Sequence, residues 1–241
     1  MKRVMLFLAV LASLGLAAPP VAMARSDADI GAVSQAVTAA DLDTLLANLK
    51  TSPSNDQLPA GFTNAEFADP ATITGDARVI RPEDFESAVA TVTYTVDWDP
   101  TATDATAVAA ASPVSDAVPI RFASLNYLFY DATVESGDLD ELLFGTEGRP
   151  TPESTNPGEE VSVENVDLDD TSGVLVTYTL QENGVQAVVQ LVAIPAGKAI
   201  VMATVVEASR DGVDADVAAA SVEALVVAGA DYLGTVAEHS R

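Results

Sequence analysis

Carboxylates are the only reactive side chains that this sequence supplies in quantity, with 36 Asp and Glu among 241 residues. The stretch Asp167-Leu168-Asp169-Asp170-Thr171-Ser172-Gly173 places oxygen ligands at the close intervals that can wrap a calcium ion. It departs from the calcium-loop template, because glycine stands seventh instead of sixth and a tyrosine replaces the twelfth-position glutamate. Asp167, Asp169 and Asp170 are therefore the calcium candidates, as the alternative to a protein without a cofactor.

The segment from Ile120 to Tyr130 is a second candidate site, because it combines one of the few cations with several aromatic residues. Strand alternation places Arg121 and Tyr127 on one face. A pocket there could hold an anionic group through Arg121, so both are candidate ligand-binding residues. The structural alternative is that the aromatic residues belong to the core and that Arg121 pairs with a surface carboxylate.

The chain contains few residues that could support other kinds of catalysis. Its single histidine, His239, lies near the carboxyl terminus, where residues are poorly ordered, and it has no cysteine. A Ser–His–Asp triad, thiol catalysis and cysteine-ligated metals are therefore disfavoured or excluded. No Walker A loop and no glycine-rich dinucleotide motif is present. We expect no catalytic residues and no enzymatic activity, with a calcium-dependent or carboxylate-based extracellular activity as the alternative.

The amino-terminal residues predict an export signal. Lys2 and Arg3 precede an apolar run over 4–18, and Ala22-Met23-Ala24 matches a small-x-small cleavage site. The apolar run is shorter than the roughly 20 residues that a spanning helix needs. We therefore expect a signal peptide over 1–24 and a secreted, extracellular or cell-envelope protein. No stable membrane insertion is expected after cleavage.

The formal net charge is -25, which would repel nucleic acid and anionic lipid. Adaptation to high salt and compositional drift explain this acidity equally well. The expected partner is an unknown protein or small molecule. The absence of cysteine means that the fold has no disulfides, and a chain of this length can bury a core without them.

Local patterns predict helices and strands in alternation. A flexible leader is expected over 25–37, followed by a single domain over 38–241. Strands are expected over 63–68, 90–98 and 119–130, the second of them with strict period-two alternation. Two helices are predicted by capping pairs and apolar spacing: one by Thr38 and Asp41 before Leu42, Leu45, Leu46 and Leu49, the other by Asp138 and Glu141 ahead of Gly145.

The last third predicts a β-meander over 174–207. Asn183-Gly184 favours a two-residue hairpin, whose register would pair Leu180 with Ala187 and Gln181 with Gln186, leaving one apolar and one largely polar face. The very apolar stretch LVAIPAGKAIVMATVV is broken by Pro195 and Gly197, so it predicts a second hairpin. A helix beginning near Asp214 or Asp216 would cover this sheet.

These elements predict an α+β fold, with an antiparallel sheet of about six or seven strands, flanking helices and a C-terminal helix after the closing meander. The order of the closing meander and the last helix resembles that of the PsbP/Mog1-like proteins. The resemblance implies an α/β sandwich as the alternative architecture. The function expected is that of an exported soluble domain, either a ligand- or partner-binding module or a structural module of the cell surface.

Overall fold

A computed structural model of the chain describes residues 29–69, 85, 87–101, 120–145, 148–151, 158–168, 171–182, 184–210 and 212–241. The predicted signal peptide over 1–24 lies outside these residues. The architecture is the predicted α+β class, built on one seven-stranded antiparallel sheet. In chain order its strands are β1 (Phe62–Phe67), β2 (Ala90–Trp98), β3 (Ile120–Phe129), β4 (Glu159–Leu168), β5 (Thr171–Glu182), β6 (Val185–Ala196) and β7 (Ala199–Ser209).

Across the sheet the strands follow the order β1-β2-β3-β7-β6-β5-β4, so the three central strands are β3, β7 and β6. Four helices flank them: α1 (Ile30–Ala39), α2 (Leu42–Asn48), α3 (Leu139–Phe144) and α4 (Ala215–Glu238). The larger core lies between α1, α4 and one face of the sheet. A smaller core lies on the opposite face, where Leu139 at the start of α3 packs against Met202 and Ala193.

The C-terminal meander has the predicted register. Leu180 pairs with Ala187 and Gln181 with Gln186, and Gly184 takes the positive φ that a tight hairpin requires. The apolar stretch 191–206 forms the second hairpin, with Ala196 paired to Ala199 and Gly197 at φ 67°. It therefore forms two paired strands whose residues are largely buried inside the fold.

The helix that covers the meander lies on a different face from the one that its alternation favours. The apolar residues Leu180 and Ala187 face away from α4, whereas Gln186 and Gln190 share the α4 side with Val192 and Ile194. The two glutamines are tolerated there because they sit where α4 begins. The Gln190 amide donates to the Ala215 carbonyl at 3.1 Å, and the Gln186 carbonyl accepts from the Val213 N–H at 3.3 Å.

Helix α4 is, within the described residues, the one helix long and apolar enough to cross a membrane by length and composition. Two-thirds of its most apolar window is buried inside the fold (67%), because the helix packs on β6, β7 and α1. Its first turn is capped by Asp214, as predicted, whose carboxylate accepts hydrogen bonds from the N–H groups of Asp216 and Val217.

The amino-terminal region differs from the prediction, since residues 30–37 of the expected flexible leader belong to α1. The Asp29 carboxylate caps this helix by accepting from the Ala32 N–H at 2.9 Å. Its buried residues Ile30, Val33 and Val37 recur at helical spacing and face α4 and the sheet. Small and polar residues between them weaken the apolar pattern, which is why the segment has the composition of a flexible leader.

The other helices form where they were predicted, with different caps. Asp41 caps α2 by itself, because its carboxylate accepts from the Thr44 N–H at 3.0 Å. The Asp138 carboxylate points back to the N–H of Glu135 at 2.8 Å instead of pairing with Glu141. That contact closes a short 3₁₀ helix, Ser136–Asp138, immediately before α3.

A substitution at Ile194 tests whether the hairpin over 191–206 is buried under α4. The Ile194 side chain is fully buried on the α4 side, so Ile194→Ala should lower the free energy of unfolding by about 3 kcal/mol. Val89→Ala removes atoms from a side chain that is 43% exposed and should change stability by less than about 0.5 kcal/mol. Urea unfolding measures both, and equal effects would contradict the packing described.

Candidate functional site

Arg121 lies on the α4 side of the sheet, at the start of β3, and is held by two carboxylates. Its guanidinium donates to Asp99 Oδ1 at 2.8 Å and to Glu207 Oε1 at 2.9 Å. The Glu207 side chain is only 9% exposed, so its charge depends on this partner. Arg121 therefore ties the end of β2 to β3 and β7, which matches the structural alternative for this residue.

Tyr127 lies on the same face as Arg121 but deep under α4. Its hydroxyl donates to the Gly229 carbonyl at 2.8 Å, and its ring meets Tyr94 edge to face at a centroid distance of 6.0 Å. Six residues separate it from Arg121, about 20 Å along a strand. The structure does not bring the two side chains together, and one small ligand could not contact both.

Burial raises the pKa of all five tyrosines. Burial raises the pKa of Tyr127 well above its usual value, and the neighbouring Tyr94 adds to this shift. Burial raises the pKa of Tyr130 to about 12, and burial together with a hydrogen bond to Glu159 raises the pKa of Tyr178 to about 12. Tyr94 and Tyr232 donate to the backbone carbonyls of Leu49 and Thr51. Tyr94, Tyr127 and Tyr232 therefore use their protonated hydroxyls as donors to backbone carbonyls.

The raised pKa values of the tyrosines predict that the folded protein loses stability at alkaline pH. Each tyrosine has a higher pKa in the folded state than in the unfolded state, where the pKa is 10.0. Its contribution to the free energy of unfolding is therefore complete below pH 10.0 and is lost as the pH rises towards the folded-state pKa. Stability should stay level up to about pH 9 and decline above pH 10. Tyrosinate absorbance should appear together with loss of circular dichroism, and tyrosinate formed in a fully folded protein would contradict the burial.

Arg121→Met provides a test of the ion-pair cluster. The substitution leaves Glu207 buried without its partner and should cost about 2 kcal/mol in urea unfolding. Adding Glu207→Leu should recover most of this loss, because the remaining buried charge is then removed as well. A single-variant loss below about 0.5 kcal/mol would show that solvent already screens the pair.

The acidic calcium candidates are described only in part. Asp167 lies near the end of β4, where its carboxylate accepts a hydrogen bond from the Ser172 hydroxyl at 2.8 Å. Asp169 and Asp170 lie outside the described residues. Within the described part of the chain, no group of three or more His, Cys, Asp or Glu could hold a metal ion. Calcium binding stays a prediction.

A cleft of about 580 Å³ opens at the end of the sheet where β6 turns into β7. Helix α1 forms one wall and the segment 133–136 forms the other. Gly197 joins them, because the Val134 N–H donates to its carbonyl at 2.8 Å and a side chain at position 197 would collide with Ser34 of α1. At φ 67°, this position favours glycine on backbone grounds as well.

The cleft has an apolar floor and a hydroxyl-rich rim. Ile30, Val134 and Pro195 are buried at its base. The rim carries the polar side chains of Ser34, Gln35, Thr38, Thr133, Glu135, Ser136 and Thr171. Apolar lining with a few polar groups is typical of small-molecule sites.

Two rim hydroxyls have already used their hydrogens. Thr38 donates to the Ser34 carbonyl at 2.7 Å, and Ser136 donates to the Ser172 carbonyl at 2.8 Å. Towards a ligand, these two oxygens can only accept. Glu135, the single ionisable residue among the described lining residues, is an acceptor as well when it is charged. At these three positions, the cleft therefore favours a molecule that brings N–H or O–H donors.

The sequence did not predict this cleft, because residues 30–37 of α1, which form one of its walls, were assigned to a flexible leader. The available signal was the spacing of Ile30, Val33 and Val37 behind Asp29, an N-cap residue followed by an apolar helical stripe. Gly197 was identified only as a turn residue. Its contact with α1 depends on tertiary packing that the local pattern does not encode.

Comparison with known proteins adds no family to this description. The chain matches no family model, and neither a curated protein nor a solved structure is significantly similar to it. The resemblance to the PsbP/Mog1-like proteins therefore stays a prediction.

Proposed function

We propose that this protein is an exported, non-enzymatic domain that binds a small molecule in the cleft between α1 and the segment 133–136. The observation that carries the proposal is the combination of a buried apolar floor with a rim of hydroxyl groups. Such a surface can desolvate the apolar part of a ligand while it orients the polar part. Export is inferred from the apolar run and cleavage site over 1–24.

The lining favours binding over catalysis. General acid–base chemistry needs a titratable group positioned against a nucleophile or against a second titratable group. Among the described lining residues, Glu135 is the only ionisable one. A reversible binding role fits this composition better.

The charge of the cleft selects the class of ligand. No lining residue within the described part of the chain is cationic, and the protein as a whole has a net charge of -25. An anion would be repelled from this surface, whereas an ammonium group would be attracted and could donate to Glu135 and to the rim oxygens. The proposed ligand is a small, partly apolar molecule with a neutral or cationic hydrogen-bond donor.

Three probes of equal chain length test this proposal: butylammonium, butanol and butyrate. We expect the unfolding temperature to rise most with butylammonium, less with butanol and not at all with butyrate, since a ligand that binds only the folded state stabilises it. Glu135→Gln should reduce the advantage of butylammonium over butanol. Differential scanning calorimetry at constant ionic strength measures each shift.

Matched variants separate the cleft from nonspecific ion binding. Thr133→Phe places a ring at the exposed rim and should abolish the shift. Thr235→Phe places the same ring on the exposed side of α4, outside the cleft lining, and should leave the shift unchanged. Equal shifts in both variants would show that butylammonium acts on the acidic surface in general, and the proposal would then be wrong.

A further inference from the structure

The two edges of the sheet are finished differently. The outer strand β1 is irregular: its register with β2 shifts between Thr63 and Glu66, and Asn64 has a φ of 53°. Loop side chains also satisfy its backbone, because Asn55 accepts from the Asn64 N–H at 2.8 Å and Ser52 accepts from the Phe67 N–H at 3.0 Å. Bulges and covering groups of this kind prevent further strand pairing.

Among the described residues, none of these features occurs along the first half of the opposite edge, β4. It pairs with β5 through ten consecutive residues, from Glu159 with Leu180 to Leu168 with Thr171, without a register shift. The stretch 160–164 contains no proline and no lysine, which are common protections of an edge strand. No described loop residue bonds to its backbone in the way that Asn55 and Ser52 bond to β1. Arg149 reaches the strand at Asn165, beyond this stretch.

The two faces of β4 differ in chemistry. Val161 and Val163 are half-buried and continue the apolar face that Tyr178 and Val176 form on β5. Glu160, Ser162 and Glu164 are exposed on the other face. A strand added at this edge would extend both faces, so it would place apolar side chains beside the valines and its alternate side chains beside the glutamates.

The glutamates of β4 determine which kind of strand can pair with this edge. A second copy of β4 would bring glutamates against glutamates, and like charges on neighbouring strands are destabilising. The net charge of -25 adds long-range repulsion between copies. A strand with lysine or arginine at alternate positions would instead meet both glutamates with opposite charges and would be attracted at a distance.

We infer that the edge of β4 over 160–164 is a docking site for an extended segment of a partner protein in which basic and apolar residues alternate. The segment adds as an eighth strand. Its main-chain hydrogen bonds give affinity, and its basic face gives specificity for this acidic edge. The glutamates thus have two effects, since they oppose self-association and attract the partner. This site is separate from the cleft and does not depend on the ligand proposed there.

A fluorescent peptide of alternating lysine and valine, seven residues long by design, is the probe for this site. Fluorescence anisotropy at low salt should show saturable binding to the full protein that weakens as salt is added. Glu160→Lys together with Glu164→Lys should weaken binding by about tenfold or more. Glu141→Lys together with Glu238→Lys makes the same charge change at two exposed helical positions and should weaken it much less.

A charge-matched peptide tests strand addition itself. N-methylation of two adjacent central residues removes one backbone donor from each edge of the peptide and leaves its charge unchanged. Binding should fall by about tenfold or more if the peptide adds to the sheet. Equal affinity for the methylated peptide, or an equal loss in both pairs of charge variants, would show nonspecific attraction and overturn the inference. The Thr133→Phe variant should bind the peptide normally, which separates this result from the cleft.

Discussion

The close packing of α4 on the central strands is the contact on which the rest of the structure depends. The helix lies across β3, β6 and β7, and Gly229 is its point of closest approach, because a side chain there would collide with Leu125. The same approach lets the Tyr127 hydroxyl reach the Gly229 carbonyl at 2.8 Å. Apolar burial supplies most of the stabilisation at this contact. No disulfide adds to it, because the chain has no cysteine.

The position of α1, and hence of the cleft, follows from this packing. Gly234 of α4 admits Val33, whose Cγ2 would lie 2.8 Å from a side-chain carbon added at that glycine. Gly197 admits α1 from the side of the β6–β7 turn. Because glycines stand on both surfaces that α1 contacts, a short helix with few large apolar residues can dock closely. The groove left between α1 and the segment 133–136 is a consequence of that docking.

Polar groups are placed where the core ends. Arg121 balances Asp99 and Glu207 at one end of the sheet, and the side chains of Gln186 and Gln190 form hydrogen bonds with the backbone at the start of α4. Most of the acidity remains on the surface, where it is solvated and sets the sign of any partner's charge. Both proposed sites follow this rule: the cleft accepts hydrogen bonds from a donor ligand, and the edge of β4 attracts a basic strand.

The sequence by itself determined the α+β class, the hairpin register around Gly184, the bend between Pro195 and Gly197, and the helices that follow Asp41 and Asp214. Those features depend on neighbours within a few residues, through turn geometry, capping and side-chain period. Only the tertiary structure decided that α1 packs against α4 and β6, that Asp99 and Glu207 hold Arg121, and that α4 covers the face carrying Gln186 and Gln190. Each of these depends on a surface contributed by residues far away in the chain, and local patterns contain no record of which surface will be buried.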